Sequence, residues 1–176
     1  MGDVDEGPVS PDQRVCDSVY RMDRVQNVVL QVWRERATID RVHRTRELVA
    51  RLHAEYPGQV ALLVRVVDGC GFPEPRTTRA FSRLLREVEP EVQGIAVVLE
   101  GSGFWAATMR AVISSVTLMA RSGPPTRIYG DVREASEALI DLLEQNHAVR
   151  IPSDTLAAAA IELGAPVWEG SPQGGR

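Results

Sequence analysis

Lysine is missing altogether: all 20 basic side chains are arginine, a bias that genomic base composition explains without invoking function. The basic total is still outweighed, leaving a net charge of −4 and a pI near 5.4, which excludes a general nucleic-acid binder because phosphate neutralisation needs surplus cations. Cysteine is almost absent. Cys16 and Cys70 lie far apart, with neither the paired spacing of a zinc site nor the density of a disulfide scaffold, so a reducing cytoplasm is the expected location. His43, His53 and His147 show no ligand spacing, and His43 and His53 point to different sides of one helix. No Ser/His/Asp or Cys/His arrangement can be picked out; catalytic residues, metal and cofactor are all expected to be none. The N-terminus is acidic and contains Gly and Pro rather than a basic-then-apolar run, so no signal peptide is expected. The apolar stretch after Phe104 falls short of the roughly 20 residues that a membrane span needs and contains Arg110, so no membrane span is expected either.

What the chain does have is enough apolar residue, 44% of 176, to bury one compact core. Its centre is the stretch Gln93 to Ser122. The unbroken run Ile95-Ala96-Val97-Val98-Leu99 suits a strand covered on both faces, and Glu100-Gly101-Ser102-Gly103 turns it into a long apolar helix. Before it, residues 1–13 read as a flexible leader. Val15 to Met22 supplies a first strand, Asp23 to Gln26 a hairpin turn, and Asn27 to Trp33 a second strand. Thr38 caps a first amphipathic helix that ends at Pro57-Gly58. Gln59 to Val67 is a central strand. It leads through Asp68-Gly69-Cys70-Gly71 to a second helix with Phe81, Leu84, Leu85 and Val88 on one face and Arg76, Arg79, Arg83 and Arg86 on another. After the third helix, Thr126 to Tyr129 is a short strand, and Asp131 with Glu134 forms a capping box for a fourth helix. The expected fold is α/β with the order ββαβαβαβα, a mostly parallel central sheet in a domain spanning 14–146. A short C-terminal helical appendage and a mobile tail follow over 147–176, with the helix capped by Ser153 or Asp154 and Trp168 able to dock the tail.

This element order resembles the STAS fold of bacterial anti-sigma-factor antagonists and its SpoIIAA-like and Sec14-like relatives. Asn27 to Trp33 followed by Thr38-Ile39-Asp40 looks like the second strand and first helix of the family, and Asp68 takes the place of the acidic residue before its regulatory loop. Arg127 to Ala135 resembles the closing strand and helix. In phosphorylated antagonists a serine near the start of the second helix is read by a partner kinase; here Asp68 to Pro75 holds no serine or threonine, and Thr77 and Thr78 are the nearest hydroxyls.

The leading expectation is a non-enzymatic cytoplasmic interaction or regulatory domain that meets a protein partner through Asp68, Arg76, Thr77, Thr78, Arg79 and Arg83, since arginine forks recognise carboxylates and phosphates. The alternative is a domain for a small apolar ligand or lipid, with an apolar pocket beneath the third helix. A weaker alternative is a nucleotide-dependent enzyme at Gly101-x-Gly103-x-x-Ala106, which fits the relaxed dinucleotide fingerprint. Asp68, Glu100 and Asp131 each follow a predicted parallel strand and could gather around a magnesium ion, although acids are ordinary in such turns. Cys70 is a reactive-thiol candidate only if it is exposed beside a positive charge. On the third helix, Trp105, Met109, Val112, Val116 and Met119 form the expected core stripe. The flank bearing Phe104, Ala111 and Leu118 is expected to be covered, by a second copy of the chain in a homodimer or by the helix around Leu156 to Leu163 folding back.

Overall fold

A computed structural model of the chain describes residues 15–16, 20–146 and 151–165. The expected leader, the tail with Trp168, Val19 and His147 lie outside the described residues. The described elements are β1 (Val15–Cys16), β2 (Tyr20–Val25), β3 (Val28–Trp33), α1 (Ile39–Glu55), β4 (Val60–Val66), α2 (Pro75–Val88), β5 (Val92–Leu99), α3 (Gly103–Ala120), β6 (Thr126–Tyr129), α4 (Val132–Gln145) and α5 (Ser153–Gly164). From β2 to α4 the order is the expected ββαβαβαβα. The first strand differs: it divides into β1 and β2, and β2 runs on through Asp23 to Val25, leaving Gln26 and Asn27 alone as the turn. Gln26 takes positive φ there, and Asn27 is held by donating from its amide to the Gln59 carbonyl, so a two-residue turn suffices where a longer polar link was expected.

The six strands lie side by side in chain order, with β1–β2 and β2–β3 antiparallel and the rest parallel. Three successive crossovers that step in one direction, each right-handed as such connections are, place their helices on one face of the sheet. Accordingly α1, α2 and α3 share one core with Val29, Leu62, Ile95 and Val97. The other face, with Leu30, Leu63, Ala96 and Val98, is left to the helices that follow β6, and α4 and α5 cover it. The appended helix is therefore well packed: Leu156, Ala157, Ala160 and Leu163 are buried. Its N-cap is Pro152 rather than Ser153 or Asp154, and no side chain caps it. Asp131 does cap α4, accepting from the backbone N–H groups of Arg133 and Glu134.

Candidate functional site

Among the described helices α3 is the most weakly seated. Only Ala106, Met109 and Ala120 are buried, while its inward-facing Ile113 and Val116 are only half-buried. It leans on α2, where the Ser82 hydroxyl donates to the Val116 carbonyl at 3.2 Å, and its N-terminus is tied down by Trp105, whose indole N–H donates to the Cys70 carbonyl at 2.9 Å. Between these anchors it spans a cavity of about 150 Å³ bounded by the sheet below and by α2 and α3 above. The floor is Leu62, Val64, Val66, Ile95 and Val97; Phe81, Leu84 and Leu85 come from α2, and Met109, Val112, Ile113 and Val116 from α3. The lining is almost wholly apolar. Its polar side chains are Thr117, Thr126, and Gln31 with Thr45, where the Gln31 amide donates to the Thr45 hydroxyl at 2.8 Å and accepts from the Trp33 indole at 3.2 Å. The half-burial of the inner α3 side chains has its cause here, since they face a hollow.

α3 alone among the described helices is long and apolar enough to cross a membrane. It is also the crossover between two paired strands of one sheet, which fixes both its ends against the domain.

The residues expected to meet a partner are partly brought together. Arg76, Arg79 and Arg83 form an exposed row along α2 that Arg86 continues, and Asp68 is exposed at the end of β4. Thr77 does not join them: it is buried on the inner side of the helix, one residue from the arginine row and therefore about 100° round the wheel. Thr78 is spent on its own helix, donating to the Glu74 carbonyl. Phe104, Ala111 and Leu118 are exposed, Phe104 to 86% and Leu118 to 80%. α5 does not cover them, because it packs on the opposite face of the sheet.

At the glycine turn, Gly101 has φ +106° and a Cβ there would collide with the Asp68 carboxylate. That carboxylate puts negative charge where a pyrophosphate would have to approach a dinucleotide fingerprint. The three acids have separate tasks: Asp68 abuts Gly101, Glu100 pairs with Arg65, and Asp131 caps α4. Among the described residues no group of three or more His, Cys, Asp or Glu could hold a metal ion. His53 is locally bonded, its Nδ1 accepting from the Gly58 N–H. Cys70 is buried, and burial pushes its thiol pKa up to about 11, the reverse of activation.

No protein-family model matches the chain, and no curated protein or solved structure matches it.

Proposed function

We propose that this protein is a non-enzymatic module that binds a small apolar ligand in the cavity beneath α3, the pocket-bearing alternative among the sequence-based expectations. The observation that carries the reading is the cavity itself. Protein interiors hold few voids larger than a water molecule. The hollow, about 150 Å³ and partly open to solvent, is well above that size. Engineered apolar cavities of this size accept benzene-sized molecules. The Gln31 and Thr45 corner supplies one place for a single polar group on an otherwise apolar ligand.

The test is a thermal-shift titration with toluene as probe. Toluene is expected to raise the melting temperature of the wild type, and Val116→Phe, which fills the hollow, is expected to raise the ligand-free melting temperature and abolish the toluene response. A wild type indifferent to toluene, or a response that survives Val116→Phe, defeats the reading.

A second reading keeps the STAS-like interaction domain, with a cytoplasmic protein partner or a second copy of the chain. It is favoured by the outer surface of the same two helices: an exposed arginine row on α2, and the exposed Phe104, Ala111 and Leu118 on α3. The two readings use opposite sides of α3, so substitutions at Phe104 and Leu118 bear on the second alone.

A further inference from the structure

On the α5 side of the sheet, away from the cavity, the strand register brings together side chains distant in sequence. Arg21 of β2 and Arg65 of β4 flank Val32 in one row across the sheet. Arg34 follows β3 and Glu100 follows β5, and by alternation both continue the same face. The three guanidinium groups converge on the last turn of α5. Arg21 Nη1 donates to the carbonyls of Leu163 at 2.9 Å and Ala165 at 2.6 Å. Arg34 Nη2 donates to those of Gly164 and, at 3.1 Å, Ala165, and Arg65 Nη1 to that of Ala160 at 2.6 Å. Gly164 is required by this closeness, because a Cβ would run into the Arg65 guanidinium.

Among the described residues, negative charge only partly matches this clamp. Glu100 pairs with Arg65 at 2.5 Å, and the end of a helix supplies about half a negative charge. Asp23 lies on the same face one pair further along β2, where it accepts from the Arg24 N–H. Against them stand three guanidinium groups whose other partners are neutral carbonyls. Two observations mark the strain. The Nε of Arg21, in a residue only 8% exposed, is buried with no acceptor among the described residues. Burial, then the neighbouring Arg21 and Arg65, pulls the Arg34 pKa down from its ordinary value, with Glu100 opposing. Converging guanidinium forks with an unused buried donor suit an oxyanion, whose several acceptors can satisfy them at once.

We propose that Arg21, Arg34 and Arg65 form a binding site for a phosphoryl-type dianion, and that the last turn of α5 is a displaceable plug in it. The plug's carbonyl oxygens take the role of the ligand's oxygens with less charge, so a dianion competes for the same donors and loosens α5.

The experiment titrates the full chain with inorganic phosphate, and in parallel with glycerol 3-phosphate, against sodium chloride of equal ionic strength. Melting temperature and amide exchange along α5 are the readouts. Phosphate is expected to raise the melting temperature above the chloride control while lowering protection in the last turn of α5. Tighter binding of the ester would identify a phosphorylated metabolite as the source, and equal binding free phosphate. Arg34→Gln, which leaves the two more deeply placed arginines intact, is expected to weaken binding at least tenfold. Gly164→Ala, which crowds the plug, is expected to tighten it several-fold; the Arg34→Gln comparison decides alone if that variant does not fold. No phosphate-specific response in the wild type, or one that Arg34→Gln leaves unchanged, overturns the site. An α5 as protected with phosphate as without it overturns the plug.

Discussion

Between Gly69 and Gly71 the Cys70 side chain turns inward, its Sγ donating to the Glu35 carbonyl at 3.1 Å in a residue 4% exposed. With its pKa raised from 9.0 to about 11, the folded protein holds the thiol proton more tightly than the unfolded chain does. The contribution to stability is therefore fully present below about pH 9 and is lost as pH climbs through about 11. In a Cys16→Ser background, a disulfide reagent at pH 8 is expected to modify Cys70 only at the rate of unfolding, and urea to bring that rate up. Rapid stoichiometric labelling of the native protein would contradict the burial. The flanking glycines marked a loop in the sequence, and a loop says nothing of which way one side chain in it points. Arg65 was legible: a charge inside the run Val-Ala-Leu-Leu-Val-Arg-Val-Val of a doubly covered strand needs a partner, and the half-buried Glu100 is that partner.

On the scale of elements, the sequence specified α3 as a helix and most of its orientation, because apolar periodicity records which face is turned inward. Met109 and Val116 lie on the expected stripe, yet Met119 is 45% exposed and Ile113 lines the cavity in its place. The hollow itself leaves no such trace, since a helix over a packed sheet and a helix over a cavity carry the same pattern. The pairing of Arg21, Arg34 and Arg65 was equally hidden, because it depends on strand register and on where α5 docks, neither of which is local. Phe104 and Leu118 lie so far out that Phe104→Asp with Leu118→Asp is expected to leave stability within about 0.5 kcal/mol of wild type, in line with other exposed sites. Chemical denaturation at micromolar protein checks this. Light scattering on the same samples reads association: a wild type of dimer mass that the double variant returns to monomer favours the interaction reading, and identical monomer masses remove the second copy from it.

For the molecule as a whole, the second face of the sheet depends on its last helix. Ending the chain at Asn146 uncovers part of Leu30 and Leu63 and deletes the buried Leu156 and Leu163. Each leucine-sized burial is worth about 1.5–3 kcal/mol, so the truncated chain is expected to lose at least about 3 kcal/mol. Urea unfolding of the shortened protein measures that loss, and a midpoint equal to the full chain's would show α5 to be energetically idle. The sequential strand order has a further consequence in time. Each strand pairs with the one synthesised just before it, so the face under α1, α2 and α3 is roofed as the sheet grows, while the opposite face waits for α4 and α5. Translation at about 5–20 residues per second takes roughly 3–13 s to carry the ribosome from Glu100 to Ala165. Until α4 and α5 have followed, the nascent sheet presents a bare aliphatic strip, Val28, Leu30, Leu63 and Ala96 among it, to whatever waits at the exit tunnel.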